Sequence, residues 1–313
     1  MWTAIILAVV LVAGVGVYAA WAQHAVAHGA ALWPFVVGFP FAYLALPLLL
    51  TILWFTVAWW FRGQPPANIT LGLTQRGAMF CREFRALAGS APRMILFRWL
   101  MPRPSPAPAT LPIVLLHGVG CNAGVWAGFR RHLAARGVHP VYALSYGPPF
   151  ASIELFADQL AALVDTIVAE TGARQAVLVC HSMGGLVARA YLRRFGAAKV
   201  RRLVTVGTPH HGSMHAWMMI GTSLSQLRPG NPWLAQLNRD TEAEHAAGHV
   251  APPTTSIWSW HDSMVTPQTS SRIDWGDNIV LTGIAHNALL DHPDVWASVV
   301  AQIDAAATSE FPA

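Results

Sequence analysis

From residue 1 to residue 61 the sequence has no aspartate, glutamate, lysine or arginine, and the first formal charge is Arg62. A water-soluble domain must turn part of its surface to solvent, so so long an uncharged stretch excludes one there. Charged residues are only 11% of the 313, against 54% hydrophobic residues. The apolar excess sits mainly in the N-terminal part, and the remainder reads as an ordinary globular domain. Cysteine is scarce as well. Cys81, Cys121 and Cys180 are odd in number and scattered, which fits neither a disulfide framework nor a metal-ligand spacing. Reduced structural thiols are the expectation, with no metal and no cofactor.

The net charge of +5 raises the question of nucleic acid. Much of that excess lies between Arg62 and Arg103, at Arg76, Arg82, Arg85, Arg93 and Arg98, with only Glu83 opposing. Basic residues directly after an apolar span suit a membrane surface, and no nucleic-acid-binding motif is present. The expected partners are membrane lipids and a lipid or ester substrate, not nucleic acid.

Residues 2–22 form one continuous apolar run, long enough at ~20 residues to cross a bilayer as a helix. A second run covers residues 32–61. Pro34, Pro40 and Pro47 should kink it or delay its start, leaving 41–61 as its best spanning stretch, and Trp33, Trp54, Trp59 and Trp60 cluster toward its ends. Ala20-Trp21-Ala22 resembles a cleavage site, but no lysine or arginine precedes the apolar core as a signal peptide requires. The expectation is therefore an uncleaved transmembrane hairpin, residues 1–61, in a bacterial inner membrane. The arginines after Phe61 should stay cytoplasmic, which puts the rest of the chain inside; the periplasmic orientation is the alternative.

Residues 62–110 form an Arg-rich juxtamembrane segment and linker. Phe80, Phe84 and Leu87 share a helical face with Arg82 and Arg85 turned away, which suits a helix lying on a membrane or one packed on the following domain. The run Pro102 to Pro108 cannot hold a helix and reads as an extended linker.

From residue 111 to 313, short apolar runs (PIVLLHG, VHPVYALSY, AVLVCH, VRRLVTVG, TTSIWSW, NIVLTG) alternate with helical periodicity over 125–135, 152–170, 184–195 and 294–305. The pattern predicts an α/β fold whose mostly parallel sheet is covered by helices on both faces.

Between AVLVCH and a helix stands Cys180-His181-Ser182-Met183-Gly184-Gly185. A serine on a tight strand-to-helix turn is held exposed and strained, at a helix end that stabilises developing negative charge. Cys180 occupies a position that is usually glycine. Leu115 to Gly120 supplies an earlier strand end with two glycines, so the backbone N–H groups of Val119 and Met183 are the candidate oxyanion donors. His117 reads as a brace for that loop. An acid and a histidine should follow in order. Asp262 comes just after strand TTSIWSW, whereas its rivals Asp274 and Asp277 precede a strand. His286 follows NIVLTG, and its rival His292 opens the last helix. His261 should point away from the acid. Ser182, His286 and Asp262 thus make a nucleophile, a general base and an orienting acid. His210, His211 and His215 lack the further ligand that a zinc site needs.

With LLHGVG, CHSMGG, VTVGTPHHGS, HDSMVTP and GIAHNALL in this order, residues from 112 onward resemble the bacterial triacylglycerol lipase and esterase family of α/β-hydrolases. The resemblance implies the α/β-hydrolase fold and the same roles for Ser182, Asp262, His286, Val119 and Met183. It also implies that residues 214–250, with Trp217, Met218, Met219, Ile220, Leu224, Leu227, Trp233 and Leu234, form a lid or a fixed cap. Hydrolysis of lipophilic carboxylic esters is the leading expectation. Acyl transfer or thioester cleavage by the same residues, and a non-catalytic membrane scaffold, are the alternatives.

Overall fold

The computed structural model describes residues 2–67, 69–248 and 251–308. Met1 of the hairpin, the last two positions of the 214–250 segment and the last five of the chain lie outside the described residues. Among the described residues the apolar runs of the C-terminal part become six strands: β1 (Ile113–Leu116), β2 (Val141–Leu144), β3 (Ala176–His181), β4 (Val200–Val206), β5 (Thr254–Ser259) and β6 (Asp277–Leu281). They pair in the order β2-β1-β3-β4-β5-β6, parallel throughout.

Among the described residues ten α-helices accompany them: α1 (Trp2–Ala27), α2 (Trp33–Phe61), α3 (Leu73–Ile95), α4 (Phe97–Leu100), α5 (Ala127–Ala135), α6 (Ile153–Thr171), α7 (Met183–Phe195), α8 (Thr222–Gln226), α9 (Pro232–Ala246) and α10 (Pro293–Thr308). Strand side chains alternate between faces. Val114, Leu116, Leu178 and Cys180 pack with α6 and α7, while Ile113, Leu115, Val177 and Val179 pack with α5 and α10. This is the expected parallel sheet, covered on both sides. Helix α6 starts at Ser152, whose hydroxyl accepts from Glu154 N–H, and stops at Gly172 in the left-handed region.

Both N-terminal helices are long and apolar enough to cross a membrane. In α2 the prolines do not delay the helix. It runs unbroken from Trp33, with Pro34 in its first turn and Pro40 and Pro47 inside. A proline in the first turn forfeits no intrahelical bond. Near the internal ones, side chains from the hairpin supplement the ladder: the Tyr18 hydroxyl donates to Phe35 O at 2.8 Å, and Thr51 Oγ1 donates to Pro47 O at 2.7 Å. The expected 41–61 span is therefore the second part of a longer helix.

Helix α3 packs on the following domain. Its Met79, Glu83 and Met94 are buried, and the Asn122 side chain donates to Met94 O at 2.8 Å. It also touches the hairpin, where Tyr43 Oη donates to Ala88 O at 2.7 Å. Residues 102–108 have no helix or strand, consistent with their prolines.

Candidate active site

Strand β1 leads toward β2 and strand β3 toward β4, so the sheet changes winding direction between β1 and β3. A crevice opens outside their carboxyl ends, where such sheets present ligands. Ser182 stands there, between β3 and α7, with φ 55° and ψ −128°. An L-residue adopts that conformation only when its surroundings hold it. Here Ser182 N–H donates to Val206 O at 2.9 Å, and Thr208 Oγ1 donates to Ser182 O at 2.8 Å. Two glycines make the turn sterically possible. A Cβ on Gly184 would stand 2.8 Å from His117 O, and one on Gly185 would collide with Thr208 Oγ1. Cys180, in the usual glycine position, is fully buried among the α6–α7 core residues.

The structure brings His286 and Asp262 to this serine. His286 Nε2 lies 3.0 Å from Ser182 Oγ, and His286 Nδ1 lies 2.9 Å from Asp262 Oδ2. A carboxylate only accepts, so Nδ1 carries the proton and Nε2 is left to accept from the serine hydroxyl. The other oxygen of Asp262 accepts from Met264 N–H and Val265 N–H, each at 2.8 Å. Burial of His286 opposes its protonation, but the charge and hydrogen bond of Asp262, with the charge of Glu83, outweigh it and hold the pKa above 6.5.

The rival residues go elsewhere. Asp274 and Asp277 are exposed, with Asp274 ion-paired to Arg272. His292 stands just ahead of α10, 3.8 Å from Asp294, and His261 Nδ1 accepts from Gly283 N–H. His210, His211 and His215 turn to separate partners: Thr205, Asn238 and Thr266.

The loop after β1 lies against the serine, since a Cβ on Gly118 would be 2.8 Å from Ser182 Cβ and 3.2 Å from its Oγ. Among the described residues, neither Val119 N–H nor Met183 N–H has a backbone acceptor. His117 braces this loop through Nδ1–H to Gly118 O at 2.8 Å, its ring stacked on Tyr146, whose hydroxyl donates to His117 O. Burial lowers the His117 pKa to about 4 and holds that of His181 well below the usual value, so both rings are neutral near pH 7.

Sequence reasoning missed Glu83. This fully buried carboxylate of α3 accepts from Ser263 Oγ (2.8 Å), Asn287 N (3.1 Å), Asn287 Nδ2 (2.8 Å) and Ala288 N (2.9 Å). It thereby joins the loop after Asp262 to the turn after His286. Its place on the helical face of Phe80 and Leu87 was the available signal.

A cavity of about 280 Å³ opens over Ser182 and His286, lined further by Met219, Leu227, Leu50 and Trp54. In the 214–248 segment, Leu224, Leu227, Leu234 and Leu237 are buried in the main core, whereas Trp217, Met218 and Ile220 are exposed. Arg189 of α7 ties α9 down by donating to Leu237 O and Thr241 Oγ1.

Residues 112–251 match the family model described as alpha/beta hydrolase fold. The chain is similar to triacylglycerol lipases of Pseudarthrobacter phenanthrenivorans and Burkholderia plantarii, each 32% identical over 114 residues. Those alignments cover 34% of this chain and 35% and 31% of the relatives, so the chain spans about a third of the length of these curated relatives. Among solved structures, the mature lipase of Bacillus licheniformis superposes with a TM-score of 0.54 at 19% identity, covering 64% of this chain and 95% of that one. At that identity the likeness concerns the fold.

Proposed function

The chain has an α/β-hydrolase fold, and on that premise we propose that it is a membrane-anchored serine hydrolase cleaving carboxylic esters of lipophilic acyl groups. The observation that carries this reading is the hydrogen-bonded line from Ser182 Oγ through His286 to Asp262 at the floor of an apolar cavity.

In the proposed reaction His286 Nε2 takes the hydroxyl proton as Ser182 Oγ bonds to the ester carbonyl carbon. Asp262 holds the imidazole in the tautomer that accepts and stabilises its charged form. The carbonyl oxygen, now negative, takes hydrogen bonds from the Val119 and Met183 N–H groups, worth a few kcal/mol in the transition state. Collapse expels the alcohol, which receives the proton from His286. Water, deprotonated by the same imidazole, then releases the carboxylic acid and restores Ser182.

Residues 1–61 serve in this reading as the anchor, 62–110 as the juxtamembrane segment and 111–313 as the catalytic domain. The arginines that follow Phe61 favour a cytoplasmic catalytic domain at a bacterial inner membrane.

The test is fluorophosphonate labelling of the full chain in detergent. Labelling of the wild type that vanishes in Ser182→Ala is expected, and a folded wild type that does not label overturns the reading in favour of a non-catalytic scaffold. Product partition between water and added alcohol or thiol separates hydrolysis from acyl transfer.

A further inference from the structure

The cavity over Ser182 is not closed by the catalytic domain alone. Leu50 and Trp54, on its wall, belong to α2, a helix of 29 residues with no formal charge. At 1.5 Å per residue α2 is roughly 44 Å long, against a hydrocarbon core of about 30 Å. If the whole surplus of roughly 14 Å lay at the C-terminal end, the hydrocarbon boundary would fall near residue 52. Leu50 then lies inside the hydrocarbon even in that limit, and tilting the helix would only draw more of it in.

A second part of the lining, next to α2, points the same way. The turn Met214–Met218 is fastened to α2: His215 Nε2–H donates to Trp54 O at 3.3 Å, and the two rings sit 5.5 Å apart edge to face. Directly beyond that fastening Trp217, Met218 and Ile220 are 57%, 47% and 92% exposed. Phe150, also exposed, packs against Gly221 so closely that a Cβ there would meet it at 2.6 Å. An apolar rim of this kind beside a spanning helix fits contact with lipid better than contact with water. The cavity, at about 280 Å³, is also at the bottom of the ~300–1,000 Å³ range for ligand pockets. A cavity of that size has room only for the part of a long-chain ester next to the scissile bond, so the rest of such a chain would extend beyond it.

We propose that Ser182 is served from the bilayer: the substrate is a membrane-resident long-chain acyl ester that enters beside α2 and residues 217–220, past the His215–Trp54 contact, its acyl chain lying along Leu50 and Trp54. This rests on the hydrolase reading above and adds to it the substrate's physical state and its route.

The test uses the full chain reconstituted in phosphatidylcholine vesicles carrying a pyrene-acyl diacylglycerol, with p-nitrophenyl acetate in water as the second ester. Leu50→Trp narrows the wall and Ile220→Glu puts a charge on the rim, at a side chain too exposed to support the fold. Fluorophosphonate labelling first establishes that each variant keeps a competent Ser182. The expected result is a fall of about tenfold or more in the ratio of diacylglycerol to acetate turnover in both variants. An unchanged ratio in labelled variants overturns the route, as does a wild type that cleaves acetate but not the vesicle-borne ester. A wild type that neither labels nor cleaves either ester overturns the hydrolase reading itself.

Discussion

Changing Glu83 to glutamine replaces one oxygen by an amide nitrogen at the point where α3 meets the two loops carrying Asp262 and His286. Oε1 of the native side chain accepts three hydrogen bonds, from Ser263 and from the main and side chain of Asn287, and Oε2 accepts one from Ala288 N–H. A glutamine can keep the three only by turning its NH₂ toward Ala288 N–H, donor against donor. One buried N–H then loses its partner, at a cost of roughly 1–3 kcal/mol. Glu83→Ala strands all four donors and should cost more, on the order of 3–5 kcal/mol, as when one partner is removed from a buried charged network. The effect reaches the reacting groups through Ser263, which follows Asp262 and whose Oγ also accepts from His286 N–H at 3.3 Å.

Charge gives this variant a signature that a merely structural role lacks. In the proposed mechanism the base must be neutral to accept a proton, so kcat/KM is expected to decline on the acid side as His286 becomes protonated. Burial disfavours the imidazolium, and Asp262 together with the Glu83 charge reverses that, placing the acid limb above pH 6.5. Removing the negative charge of Glu83 destabilises the imidazolium, lowers the His286 pKa and moves the limb to lower pH. The assay is kcat/KM for a soluble p-nitrophenyl ester between pH 5 and 9, alongside thermal melting in detergent. A limb that stays in place or moves upward in a folded Glu83→Gln enzyme refutes the electrostatic argument, whatever the melting temperature does.

Two further outcomes follow from the turn and the base. Gly185→Ala should cost about 1–3 kcal/mol by overpacking against Thr208, whose hydroxyl holds the Ser182 carbonyl, and should slow fluorophosphonate labelling; wild-type melting and labelling together would contradict this. His286→Ala should abolish ester turnover while leaving the fold intact by circular dichroism, and retained turnover would remove His286 as the base.

The sheet was readable because each strand is a short, buried apolar run bounded by turn residues, so period and length carry the signal. The choice of Asp262 over Asp274 and Asp277 used only position relative to a strand, and the structure leaves those two exposed. Glu83 was hidden for a different reason. Its partners lie 180 to 205 positions away, and no local periodicity encodes such a contact. Among seven arginines from Arg62 to Arg103 it read as a lone counter-charge, whereas its position between Phe80 and Leu87 puts it on the buried side of α3. The prolines of α2 misled because the rule against internal proline is calibrated on helices whose freed carbonyls compete with water, and in an apolar setting side chains such as Tyr18 and Thr51 supply the helix with extra bonds.

The Pro-rich stretch at 102–108 divides the chain in sequence, but the site draws on both sides of it. All five candidate catalytic groups lie after residue 110, and the family match covers 112–251. Yet a fragment 111–313 would lack Glu83, leaving the Ser263, Asn287 and Ala288 donors without their acceptor. It would also lack Met94 O, which accepts from the buried Asn122, and Arg93, whose guanidinium pairs with Asp291 at 2.6 Å beside the same turn. Removing α3 opens these donors to water and uncovers the core side chains that pack on Met94, an apolar exposure that a domain held together by only ~5–15 kcal/mol tolerates poorly. The expected outcome is that 111–313 is aggregated or unlabelled by fluorophosphonate, whereas 62–313, which restores α3 without the hairpin, labels at Ser182 in detergent. A soluble 111–313 fragment that labels at the rate of the full chain would mean that α3, and Glu83 with it, is dispensable to the acid and base loops.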